Sequence, residues 1–521
     1  MKRILGLCIL CTLTVSVSAQ LDLEALKRQS DARAQERKNE SSAFLQDRNT
    51  KWNSFLDTRS QEWDKTIANH DVGWTDFLSG SEWKVFEDFL IDRQPEKPKP
   101  TVVPKVETEP ASKPQPQPVI VPDRSVVKPE PKPQVTPRSV PQVQPERLPC
   151  KPAEPMPDRS KTEAKFKFYG REMAIQYDAA LKSFSAAQYT PKEISDFWKV
   201  ISAVNYTPTV DRLIQEKESI GLSDWGYYLL INEFSRQIYQ DHNRVTLLTW
   251  FLLVRSGLDA RVGYNDGGVI LMLPTATALF DMSYVMMDGA KYYVINNGTG
   301  KGIKTCPGSY SNGRQLDFNQ TKPLQLGGRS TVRSLAFEFN GQQYSMDFSY
   351  DPDLTDYYKS LPQAQFEVFF SAAPSNQLKQ SIEKNLKPVI QGMDKPTALN
   401  FLLQFVQLSF DYKTDPEQFG KEKYFYADEL FHYPYCDCED RSVLFSYLAH
   451  ELMGYNVVGT EFPEHMATAV ELDYQVSGTK YRIGEHTYTV ADPTYMRASV
   501  GQCMSRYEKS TPIIHKIEYN K

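Results

Sequence analysis

The chain has no basic excess. Its 521 residues carry 60 Lys and Arg against 65 Asp and Glu, a formal net charge of −5, so the balance points away from a nucleic-acid partner. Cysteine is sparse, seven in all, which excludes a scaffold built on disulfides. Past the N-terminus there is no apolar run long enough to cross a bilayer, so no transmembrane segment is expected. The longest run, Leu247 to Val254, has the length of a core helix. No clustered-acid metal loop occurs, and no cofactor and no metal are implied. Residues 21–72 contain neither proline nor glycine. No histidine falls between His242 and His432, and no cysteine between Cys150 and Cys306.

What is present begins with an export signal. Lys2 and Arg3 precede the apolar run Ile4 to Val15, and Val17-Ser18-Ala19 offers a cleavage site before Gln20. Residues 1–19 therefore read as a signal peptide of a secreted or periplasmic protein. Cys8 and Cys11 leave with it. Five cysteines remain, and an odd number in an exported protein suggests a free thiol. With Cys438 as that thiol, Cys150, Cys306, Cys436 and Cys503 are available to pair. Cys150 could instead link chains.

Residues 20–92 favour helix. Phe44-Leu45, Phe55-Leu56, Phe77-Leu78 and Phe89-Leu90, with Thr66-Ile67 in the gap, follow an eleven-residue step that slips by one at the last pair, and Trp52, Trp63 and Trp74 keep it. A period of eleven is about 3.67 residues per turn, a nearly straight stripe suited to coiled-coil self-association or to packing on the same chain. Residues 93–160 then change character. Of 34 prolines, 19 fall within 93–158, and such a stretch reads as a disordered linker.

Globular sequence resumes at 161. Residues 161–305 predict helices over Tyr169–Ser183, Pro191–Ala203, Trp225–Tyr239 and Val245–Arg255. Strands follow at Ala260–Tyr264, Val269–Leu273, Ser283–Met287 and Tyr292–Ile295. Residues 306–374 predict an antiparallel β connecting region, with Asn340-Gly341 as a hairpin turn. Residues 375–521 predict helices over Gln377–Leu386, stopping before Pro388, and over Pro396–Gln407. These lead to Tyr435-Cys436-Asp437-Cys438-Glu439-Asp440-Arg441-Ser442.

Cys438 opens an apolar helical run, Val443 to Met453. A cysteine in the first turn of a helix meets unpaired N–H groups and the positive end of the macrodipole, which favour thiolate and later an oxyanion. Glu439 and Asp440 oppose that thiolate, and Asp440 reads as a first-turn charge or a loop-holding acceptor. A strand from His465 places His465, Ala467, Ala469 and Glu471 on one face. Asp492 ends a later strand, on a face with Tyr488 and Val490. Cysteine, histidine and aspartate are the inventory of thiol acyl transfer. Cys436 lies outside the helix and reads as structural or disulfide-bonded. His450 reads as a helix residue of the core or surface, and His486 as a turn residue.

These elements resemble the transglutaminase-like superfamily of papain-type thiol enzymes over about 375–500. The matching stretches are Asp437-Cys438-Glu439-Asp440 before a helix, Gly454-Tyr455-Asn456-Val457-Val458 after it, the His465 strand, and Asp492-Pro493-Thr494. The family often has glycine and an aromatic around the histidine, where this chain has Glu464 and Met466-Ala467. The resemblance implies an α+β, papain/transglutaminase-like catalytic module. Cys438 would be its nucleophile, His465 its general base and acid, and Asp492 its orienting acid.

Residues 161–305 overlay this module when shifted by 197 positions. Gly257 then meets Gly454, Leu247 meets Leu444, Trp250 meets Tyr447 and Arg244 meets Arg441. Asp241 falls where Cys438 stands and, with one residue of slack, Asn296 where Asp492 stands. The first block thus reads as a degenerate copy without a triad. The expected function is an exported cysteine peptidase or amidase, or a protein-glutamine acyltransferase, acting on a protein or peptide. The rival expectation is a non-catalytic binding or scaffold protein built from the same modules.

Overall fold

The computed structural model describes residues 65–95, 99, 105, 119–120, 161–295, 302–310 and 313–519. The export signal, Cys150, Asn296, most of the eleven-residue stripe and most of the proline-rich stretch lie outside the described residues. The chain divides into two units, Met1–Val72 with Pro137–Met156, and Gly73–Thr136 with Pro157–Lys521. Of the first unit only residues 65–72 are described, and they are helical.

The second unit opens with helix α1 (73–80) and two short strands, β1 (Lys84–Phe86) and β2 (Leu90–Ile91). The helix stops at Gly80, at the Ser79-Gly80-Ser81 break that the sequence offers, and within the segment expected to be helical the residues beyond it pair into a sheet instead. Strand β3 (Val119–Ile120) comes from the proline-rich stretch.

The first globular block begins with a hairpin, β4 (Lys161–Phe168) and β5 (Arg171–Asp178), where a helix over 169–183 was expected. Ala164, Phe166, Phe168, Met173, Ile175 and Tyr177 are buried on alternate positions, the two-residue period of a strand. Tyr169 and Gly170 turn the chain at φ of 42° and 90°, the positive values a tight hairpin needs. Four helices follow: α2 (Pro191–Ser202), α3 (Thr207–Ile220), α4 (Asp224–Ile238) and α5 (His242–Arg255). Then come β6 (Arg261–Asn265), β7 (Gly268–Pro274), β8 (Ser283–Met287), β9 (Ala290–Ile295) and β10 (Ile303–Thr305).

The second block starts earlier than residue 375. Its hairpin is β11 (Thr331–Phe339) and β12 (Gln342–Tyr350), turned at Asn340-Gly341 as expected. Elsewhere in the expected β region the described residues before β11 form no strand beyond a single bridge at Arg314, and two short helices follow β12, α6 (Asp353–Lys359) and α7 (Phe366–Phe370). Next are α8 (Asn376–Ile390) and α9 (Lys395–Ser409). Helix α8 runs through Pro388 instead of ending before it. The proline sits in the last turn, so the helix it weakens has only two residues left to run, and Leu386 and Ile390 on either side are buried. Short elements follow: β13 (Asp411–Tyr412), α10 (Asp415–Phe419), α11 (Ala427–His432) and β14 (Tyr435–Cys436). Helix α12 (Cys438–Met453) leads to β15 (Val457–Phe462), β16 (His465–Glu471), β17 (Lys480–Ile483), β18 (His486–Ala491) and β19 (Ile513–Lys516).

The architecture is α+β, with helices packed on antiparallel sheets. The first sheet runs β1-β10-β6-β7-β9-β8-β2 and the second β19-β15-β16-β18-β17-β3. Stripped of β1, β2 and β3, the two orders are the same. The likeness extends outward. Hairpin β4–β5 packs on α3 and α4, as β11–β12 packs on α8 and α9, and α5 and α12 lie on the central strands β7 and β16. The repeat expected from sequence thus includes a hairpin and a helix pair outside the overlaid stretch. Among the described residues no helix is long and apolar enough to cross a membrane.

Candidate active site

The residue before α12, Asp437, is extended (φ −119°, ψ −153°), and the helix begins at Cys438. Asp440 fixes that start. Its Oδ2 accepts the Asp437 N–H at 3.1 Å and its Oδ1 accepts the Phe425 N–H at 3.0 Å, the loop-holding role expected of it. Arg441, almost fully buried, donates to the carbonyls of Phe410 (2.6 Å) and Gln407 (3.4 Å). One turn into the helix, the Ser442 hydroxyl lies 2.8 Å from the Cys438 carbonyl and 3.3 Å from that of Met466. That hydroxyl ties the cysteine end of α12 to the residue after His465.

The histidine and aspartate meet directly. Strands β16 and β18 pair Ala469 with Val490 and Thr468 with Ala491. One step further the register sets Ala467 opposite Asp492, with His465 its diagonal neighbour on the same face. The small Ala467 leaves room for the ring to reach across. His465 Nε2 lies 2.8 Å from Asp492 Oδ2. Asp492 Oδ1 accepts the N–H groups of Thr494 (2.9 Å) and Tyr495 (3.1 Å), so a tight turn orients the carboxylate. With Nε2 donating to Asp492, Nδ1 presents a lone pair, and it has no partner among the described residues. The ring lies parallel to Tyr507, 5.7 Å between centroids, and Tyr507 stacks on Phe462 at 4.5 Å.

Cys438 is the member not yet joined. All three residues are buried, but the sulfur turns to Glu439 Oε2 at 2.8 Å and makes no hydrogen bond to the imidazole. Burial pushes its thiol well above the usual range, and Glu439 and Asp437 push it further. The thiolate expected at a helix start is thus reversed here by desolvation and acidic neighbours. The other sequence-derived cysteine assignment also changes. Cys306, Cys436, Cys438 and Cys503 are all free thiols. Cys436 accepts a 3.5 Å contact from Arg441 Nε instead of forming a disulfide, and burial raises its thiol to about 11. His450 and His486 stay out of the site, bonded to the Tyr455 carbonyl and to Glu471.

Lys99 was not anticipated. Its side chain is only 2% exposed, and Nζ lies 2.6 Å from Glu439, 2.7 Å from Asp437, 2.7 Å from Glu422 and 3.6 Å from Asp415. Burial works against its charge, but Glu439 and Asp437 outweigh burial and hold the ammonium above the ordinary lysine range. Burial likewise opposes the Glu439 carboxylate, and Lys99 with the donating Cys438 thiol brings it down to about 2. Asp415, pushed by burial and Glu439 against the pull of Lys99, rises to about 7. The ligand atoms of Asp437, Cys438 and Glu439, and those of Asp415, Asp437 and Asp440, are close enough to share a metal ion. The cation among them is the Lys99 ammonium. No sequence signal marks this lysine, because Lys97-Pro98-Lys99-Pro100 reads like its surroundings.

In comparisons with protein-family models, curated proteins and solved structures, nothing matches the chain. The case for function rests on the geometry above and on its contrast with the first block. There, counted from the helix start, His242 stands where Cys438 does, one residue on from the Asp241 that the sequence overlay chose. Gly268, the first residue of β7, holds the place of His465 at the start of β16. Asn243 fills the space a side chain would need there, because a Cβ on Gly268 would come within 2.2 Å of its Oδ1.

Proposed function

We propose that the chain is an exported thiol enzyme of the transglutaminase-like kind, acting on amide bonds. The observation that carries this reading is the buried His465–Asp492 pair with Nδ1 unpartnered, next to a helix that begins with Cys438. In the reaction the sulfur leaves Glu439 and gives its proton to His465 Nδ1. The thiolate adds to the substrate carbonyl, and the C–N bond breaks as the leaving amine takes the proton from His465. A thioester to Cys438 remains. Water, deprotonated by the same nitrogen, cleaves it to a carboxylic acid and restores the thiol. Asp492 holds the imidazole through Nε2 and stabilises imidazolium during both steps. Unpaired N–H groups at the start of α12 are available to the oxyanion. An amine replacing water would give transamidation. Hydrolysis is the better-supported outcome, since the chain lacks the clustered-acid calcium loops of the large animal transglutaminases.

A scaffold role is the second reading, favoured by the closed site and by a first block with no cysteine–histidine pair. Profiling a peptide library with the full chain and with Cys438→Ala, with and without added amine, separates the two. The enzyme reading requires products that vanish in the variant. Equal yields from both proteins, or none from either across the library, would leave the scaffold.

A further inference from the structure

Three of the four carboxylates around Lys99 lie at 2.6–2.7 Å from one nitrogen, one for each proton of a primary ammonium. The fourth, Asp415, waits at 3.6 Å. Such an arrangement suits a compact ammonium on an unbranched stem. A planar guanidinium spreads its donors in a fork, and a quaternary ammonium has none to give. The cage also has acceptors to spare. Asp437 Oδ1 and Glu422 Oε1 are buried with no partner among the described residues. Glu439 joins the cage to the nucleophile, since one of its oxygens takes the ammonium and the other the Cys438 thiol. In the first block the corresponding place belongs to neutral Asn243, and Asp241 is engaged by Tyr189 and the Arg244 N–H.

We propose that Asp415, Glu422, Asp437 and Glu439 form a recognition subsite for a lysyl side chain of a peptide substrate, and that Lys99 of the same chain is its resident occupant. The substrate half rests on the reading of Cys438 as the nucleophile; the ammonium cage does not. The cage recognises the amine and does not activate it. An ammonium so stabilised has no lone pair with which to attack a thioester, so a side chain held here is read, while another group receives the acyl.

The test is chemical rescue of full-length Lys99→Ala. Its melting temperature is expected to fall by about 5 °C or more, because buried carboxylates lose their counter-charge. Millimolar n-butylammonium chloride is expected to restore most of that loss. Butanol and tetramethylammonium chloride at the same concentration are not, and the wild type is expected to respond to none of the three. Melting at the wild-type temperature, or rescue by all three solutes or by none, overturns the subsite. If Lys99→Ala does not fold, Lys99→Ala/Glu422→Gln removes one uncompensated carboxylate and must show the same selectivity. For the substrate half, kcat/KM of the refolded variant for a lysyl peptide should exceed that for its norleucyl analogue at least tenfold. Turnover without that preference overturns the substrate assignment. Selective rescue with no turnover by any form of the chain supports the cage and sinks the enzymatic reading instead.

Discussion

The two blocks of the second unit share a hairpin, a helix pair, a long helix and a five-strand order, yet differ in what stands at the starts of the long helix and of the central strand. In the second block the helix begins with Cys438, the strand begins with His465, and Asp492 follows the last strand of the pairing. In the first block His242 and Gly268 hold the corresponding places, and Asn243 Oδ1 accepts the Val269 N–H at 2.7 Å. One copy has a buried imidazole with an unpaired nitrogen. The other has closed the same space with a backbone hydrogen bond. The helix-on-sheet packing that the two blocks share therefore does not depend on which residues stand at these positions.

The contrast is broken most directly at the helix starts. Cys438→Ala should abolish amide turnover, a loss of at least about 1000-fold, while His242→Ala leaves kcat unchanged. Steady-state kinetics on the same peptide checks both. Asp492→Ala should lower kcat by about 1000-fold with a smaller change in KM, since the imidazole loses its orienting partner in both half-reactions.

The acidic cage sharpens the comparison through pH. Asp415 holds its proton up to about pH 7 in the folded chain, against about 3.9 when unfolded. A folded pKa above the unfolded one contributes stability that is fully present below about pH 4 and is lost as pH rises through 7. Asp415→Asn should flatten that decline, by at most about 1.4 kcal/mol per pH unit, in urea titrations between pH 4 and 7. Glu439, held at about 2, acts in the opposite sense, and its contribution fades as pH falls from about 4.5 toward 2.

Smaller effects test the packing alone. Gly268→Ala should cost about 2 kcal/mol, since the new methyl strikes Asn243 at a φ of +120°. Gly257 and Gly454 each follow their long helix at positive φ, 86° and 72°, with open space where a Cβ would go. Alanine at either should cost about 1 kcal/mol, equally in both blocks, by urea denaturation.

Much of this was legible in the sequence because it rests on local rules. Asp437-Cys438 before an apolar run marks a helix start, Asn340-Gly341 marks a hairpin, and Gly257 and Gly454 mark matching helix ends. What escaped had no local signature. The Tyr169-Gly170 turn is less common than Asn-Gly, so the alternation after it read as helix. Pro388 survives in α8 because it falls in the final turn. Lys99 reaches Glu422 and Asp437 across more than three hundred residues of sequence, and no pattern around it foretells that contact. The raised thiol of Cys438 follows from the same cluster. Burial, which only the folded chain produces, comes first, and Glu439 and Asp437 at the start of α12 add to it.

Strands β1 and β2 pair with β10 and β8, the two outer strands of the first repeat's sheet, and β3 pairs with β17 of the second. All three come from the sequence ahead of residue 161, so cleavage there would do more than release a leader. It would bare three rows of unsatisfied backbone donors and acceptors, templates on which other copies could add strand by strand. Proteolytic trimming ahead of residue 161 would leave both sheets with edges open to polymerisation.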